Sequence, residues 1–194
     1  MKQRYMRLVG RSVLIVLMAL SVVDAAMATS PDVKHAIIGS IETVNKTVRT
    51  VSIKTADGTV ETIKWTRKTS VHGLSEGAKA ADLVGRTGSH IVVRYSDKGA
   101  TKTANAVEIL GSEALKFTQG TIRVAGKAAK TVVVTTADGA EQSFDLAERS
   151  VVETAHGAED AVKFAASGAT NDAKVTVHYV EKDGRRIAHF IKHL

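Results

Sequence analysis

The sequence predicts a mainly β protein: two tandem five-stranded barrels of OB-like type, each with a short helix between its third and fourth strands, behind a signal peptide. Three observations carry this expectation. The first thirty residues have the tripartite form of a secretory leader, a set of landmarks recurs about eighty positions apart, and the apolar residues between those landmarks alternate with period two.

The leader comes first. Lys2, Arg4 and Arg7 form a positive start, and residues 8–23 are apolar apart from Gly10, Arg11, Ser12 and Ser21. Ala26-Met27-Ala28 then supplies a small-x-small cleavage site. The uninterrupted apolar core, residues 13–20, falls well short of the roughly 20 residues a membrane-spanning helix needs. Cleavage after Ala28 is therefore expected, with a periplasmic or secreted mature protein and no membrane span after cleavage; an uncleaved anchor is the alternative. Removing residues 1–28 takes away four cations and Asp24, which lowers the formal charge from +7 to +4. A moderate positive balance of that size is a solubility property rather than evidence for a polyanion partner. The chain has no cysteine, so neither a lipid anchor at the cleavage site nor disulfides are available to it.

The internal repeat sets the domain organisation. Gly39-Ser-Ile-Glu-Thr-Val and Thr50-Val-Ser-Ile-Lys-Thr-Ala-Asp-Gly58 recur as Gly120-Thr-Ile-Arg-Val-Ala and Thr131-Val-Val-Val-Thr-Thr-Ala-Asp-Gly139, a constant 81 positions on. Three more residues then enter the second copy. From there His72-Gly73 matches His156-Gly157 and Tyr95 matches Tyr179, each 84 positions on. Module one spans residues 36–111 and module two 117–194, joined by a short linker at 111–116.

Each copy reads as strands. In module one they are expected at 37–44, 48–55, 60–65, 91–95 and 103–110, with Val51/Ile53, Ile63/Trp65 and Ile91/Val93/Tyr95 facing inward. Module two repeats the pattern in Val132/Val134, Phe144/Leu146 and Val175/Val177/Tyr179. The two Ala-Asp-Gly triplets and Asp183-Gly184 mark hairpins, since Asp-Gly tolerates the positive φ of a tight turn. More than twenty residues separate the third and fourth strands, too many for an idle loop. They are Ala-rich and helix-compatible at 75–84 and 158–166. The order is that of an OB-type barrel; an SH3-like barrel or an open five-stranded sheet are the alternatives. Barrels this small have thin cores, so the modules are expected to pack on each other.

With these residues in view, the pattern Gly-x-Ile, Val-x-Ile or Val-x-Val, Thr-Ala-Asp-Gly, His-Gly, Val-x-Val-x-Tyr resembles small exported bacterial domains of unknown function with an OB-like β-barrel. The resemblance covers nearly all of the mature chain, twice. It implies an envelope or secreted location and a binding or structural role, and it brings no catalytic residue with it.

The candidates for chemistry are mostly histidines: His35, His72, His90, His156, His178, His189 and His193. Counting outward from a two-residue Asp183-Gly184 turn places His178 opposite His189, a pair that could share copper or zinc. Module one carries Arg94 and Asn105 at those positions, and no cysteine or carboxylate completes a tetrahedral set, so a solvated barrel face is the plain alternative. His72-Gly73 and His156-Gly157 are preserved by the duplication and are expected to shape the mouth of the long loop. No nucleophile elbow, phosphate-binding glycine loop, His-Glu-x-x-His or cysteine nucleophile is present, so the chain is expected not to be an enzyme and to need no cofactor. Nucleic-acid binding by stacking is not expected, because most of the few aromatics fall in inward registers. An envelope protein or polymer is the expected partner.

Overall fold

The computed structural model describes residues 34–124, 130–167 and 172–194; the expected signal peptide, residues 1–28, lies outside them. The first half contains β1 (Lys34–Asn45), β2 (Thr50–Lys54), β3 (Val60–Lys64), β4 (Ser70–His72), a 3-10 turn (Ala80–Leu83), β5 (His90–Lys98) and β6 (Thr101–Gly111). The second contains β7 (Lys116–Val124), β8 (Thr131–Thr135), β9 (Glu141–Thr154), β10 (Gly157–Asp160), α1 (Ala161–Ser167), β11 (Ala173–Lys182) and β12 (Arg185–His193).

Both halves close into rings of five strands in the same order. The first runs β3-β2-β1-β5-β6 and shuts through a parallel contact of Lys64 with Thr103. The second runs β9-β8-β7-β11-β12 and shuts through the parallel β9–β12 ladder. Closure removes the open-sheet alternative. The long segment before the fourth barrel strand is built differently in the two copies. Copy one has the separate β4 and a single 3-10 turn there, whereas in copy two β9 runs on through residues 151–154, followed by β10 and the seven-residue α1.

The alternating residues fill the rings as expected from their period. Val51, Ile53 and Ile63 are wholly buried in the first core, and Val134, Phe144, Val175 and Val177 in the second. Gly39 and Gly120 mark where β1 crosses β2 and β7 crosses β8. A Cβ at either would lie 2.3 Å from a backbone oxygen, that of Lys54 or of Thr135, so no larger residue fits.

The turns divide into two kinds. Asp183 and Gly184 both take positive φ, +52° and +74°, and Lys182 pairs with Arg185 across the tight hairpin. The Ala-Asp-Gly turns are wider than expected, and only Gly58 and Gly139 need positive φ. Asp57 acts through its carboxylate, which accepts from Thr59 N–H at 3.0 Å and from the Thr55 hydroxyl; Asp138 does the same with Ala140 N–H and Thr136.

The two barrels pack on each other. Ala36, Ile38 and Val92 of the first meet Val151 and Phe190 of the second in a small apolar cluster. Glu153 fastens its edge: one oxygen takes a hydrogen bond from Ala36 N–H and the other meets His35 Nδ1, both at 2.8 Å. Arg94 donates to the Arg149 carbonyl at 2.9 Å, and His189 Nδ1 lies 3.5 Å from a Glu108 oxygen.

Candidate functional site

Beside that cluster the barrels leave a cleft of about 560 Å³, a size that suits a small ligand or a partner's side chains. Its floor is the outer face of β7, β11 and β12. On a strand, inward and outward residues alternate, so burying Val175, Val177 and Tyr179 in the core turns Thr176 and His178 outward. Across the sheet His178 pairs with Phe117 on one side and Phe190 on the other, giving a row of three rings. Their centroids are 6.0 Å and 5.7 Å from that of His178. Phe117 is 58% exposed, and the opposite wall is the β2–β3 turn with Ala36, Ile37 and Tyr95.

The electrostatics of this row follow from burial. His178 is 9% exposed, and no described residue hydrogen-bonds its ring. Desolvation, helped by the nearby charge of Lys192, lowers its pKa to about 4, so the imidazole is neutral at neutral pH. Across the cleft Asp57 is held ionised, with its pKa lowered to about 2 mainly by the Thr55 hydroxyl and the Thr59 amide. The cleft thus joins an aromatic floor to one unpartnered neutral imidazole, with Lys192 and Asp57 at its sides.

The duplication explains why this face is open. The registers make Phe117, Gln119, Thr176 and His178 the counterparts of Ala36, Ile38, Val92 and Arg94. In the first barrel that face is covered by the second barrel; in the second barrel it is the cleft floor.

The sequence-derived histidines fall differently from the expected register. A β-bulge in β12 takes His189 out of the ladder, so His178 faces Phe190 while Tyr179 faces Ala188. The same bulge recurs in β6, where Arg94 faces Ala106 and Asn105 is the extra residue. His178 therefore looks into the cleft and His189 toward Glu108, each with separate surroundings. Among the described residues no group of three His, Asp or Glu side chains is placed to hold a metal.

The two His-Gly pairs also part company. His72 ends β4 opposite Glu108, and the residue in that place in copy two is Glu153, opposite Lys192. The three additional residues thus enter after Asp160, which pairs with Val151 as Lys79 bridges Ser70, rather than just after the Asp-Gly turn, and His156 sits in an exposed turn. His72 lies in a small pocket with Arg94, Glu108 and Arg149, its pKa lowered by burial and by Arg149. Gly73 takes φ +83° against the Ile109 carbonyl and Gly157 takes φ +114°, so both glycines are architectural. Sequence reasoning missed Phe117 and Glu153. Their signal is faint: an apolar residue on an outward register, and an acid where the matched position carries histidine.

Neither a family model nor a curated protein matches the chain. Among solved structures it is similar to silver(I)-bound CusF, at 10% identity and TM-score 0.30 over 39% of this chain and 96% of that one. A copper(II)-bound tryptophan-to-alanine variant of CusF from Escherichia coli gives 11% identity and TM-score 0.31, over 43% and 98%. At TM-scores this low the likeness adds nothing to the strand order, and the metals named belong to those proteins. Among the described residues no helix is long and apolar enough to cross a membrane.

Proposed function

We propose that the chain is an exported, non-catalytic binding protein of the bacterial envelope whose partner seats in the cleft between the barrels. The observation that carries this reading is Phe117, a large ring left 58% exposed beside a buried, unpartnered His178. Exposing that ring to water is unfavourable by an amount that a bound planar or apolar group would recover. The imidazole adds a hydrogen-bonding atom, and Lys192 favours an acidic substituent on the ligand. No described residue orients His178 as an acid or base, which supports binding over catalysis.

The test uses a probe of matching chemistry, an anilinonaphthalene sulfonate, titrated into the purified protein and followed by fluorescence. Saturable binding that weakens at least tenfold in Phe117→Ala, with the melting temperature kept, supports the reading. Binding equally strong in the variant, or none at all, overturns it. Copper and zinc titrations of the same samples address His178 and His189: stabilisation lost on replacing both histidines by alanine would return the metal to consideration.

A further inference from the structure

A second cavity, of about 380 Å³, lies at one end of the first barrel and shares no lining residue with the cleft. Arg49, Arg67 and Lys79 line it together with Trp65 and Thr66. The backbone fixes the places of two of these cations. Arg49 takes φ +58° in the β1–β2 turn, and its carbonyl accepts from Trp65 N–H at 2.9 Å. Lys79 precedes the 3-10 turn, and its own N–H donates to Asp82 at 2.8 Å. None of the three side chains has an acidic partner among the described residues.

The second barrel shows that the fold does not require these charges. Lys130 takes the place of Arg49, because its carbonyl accepts from Leu146 N–H as that of Arg49 does from Trp65. Glu148 stands where Arg67 is, two residues beyond the matched Leu146 and Trp65. Asp160 stands where Lys79 is: Lys79 bridges Ser70 as Asp160 pairs with Val151. One barrel end therefore gathers three cations, and the equivalent end one cation and two acids. Three like charges around one cavity repel, and a bound dianion reverses the sign of that interaction.

We infer that this end of the first barrel binds a tetrahedral oxyanion of the phosphate type, free or as a phosphate ester. The two guanidinium forks and the ammonium supply charge-assisted donors, and the Thr66 hydroxyl, which accepts from Lys68 N–H, has its own proton to donate.

The experiment titrates inorganic phosphate into the purified protein at low salt by calorimetry, with sedimentation on phosphatidylglycerol vesicles as a second arm. The test variant is Arg67→Glu with Lys79→Asp, residues the second barrel already carries at those places. Lys163→Glu with Lys174→Asp, away from the cavity, makes the same change in net charge. Phosphate binding weakened at least tenfold by the first pair and less than threefold by the second supports a site for the free anion. Vesicle binding alone with that same pattern supports a phosphate ester in a headgroup. Absence of binding in both arms, or equal effects of the two pairs, overturns the inference.

Discussion

Replacing His178 by leucine should abolish a specific part of the acid sensitivity of the fold. In the folded chain the ring is buried between Phe117 and Phe190, and its pKa lies at about 4 instead of 6.5. A depressed histidine pKa means that the folded state resists a proton which the unfolded chain accepts. The stabilisation from keeping this ring neutral is therefore complete above about pH 6.5, shrinks as the pH falls below it, and is gone near pH 4. At about 1.4 kcal/mol per pH unit the difference comes to about 3 kcal/mol, a large part of the roughly 5–15 kcal/mol that holds a domain together. Urea unfolding of both proteins at about pH 7 and about pH 4 isolates this contribution, because the carboxylates titrate in both. The wild type should lose about 3 kcal/mol more than His178→Leu over that interval. Parallel losses in the two proteins, or an NMR titration placing the His178 pKa near that of free imidazole, would refute the burial argument.

Other substitutions probe the frame around the site. Phe144→Ala empties the centre of the second core and should cost about 3–5 kcal/mol in chemical denaturation, against about 1 kcal/mol for Ile63→Val at the matching place in the first. Gly39→Ala and Gly120→Ala each push a methyl into a neighbouring carbonyl, so each should destabilise by about 1–3 kcal/mol, read as lower melting temperatures of similar size. Glu153→Ala strips the Ala36 amide of its acceptor; a loss of about 1–3 kcal/mol is expected, with faster hydrogen exchange at that amide.

The repeat made the barrels legible, because the turn glycines and the alternating Val51/Ile53 and Val132/Val134 depend on local geometry that sequence displays directly. What it could not display is register beyond the hairpin. Asp183-Gly184 fixed the pairing as far as Tyr179, and one bulged residue, His189, then changed the partner of His178 from histidine to phenylalanine. The equivalence of His72 with His156 failed for a related reason. Identical letters at a constant offset look alike, but the parallel ladders place Glu153, not His156, at the His72 position. The cleft was beyond reach altogether, since it arises only when two barrels meet through different faces.

That mode of meeting has a consequence for assembly. Two like units joined by a twofold axis would use the same face twice and leave nothing over. Here the contact is head to tail: the face of β1 and β5 on one unit against β9 and β12 on the next. Such a heterologous joint does not close on itself, so a pair of units always ends with one unspent copy of the first face. The aromatic row is that remainder, and it carries phenylalanine, glutamine and histidine where the covered copy carries alanine, isoleucine and arginine. A site of this origin needs no new backbone, only a second unit whose copy of that face is left uncovered.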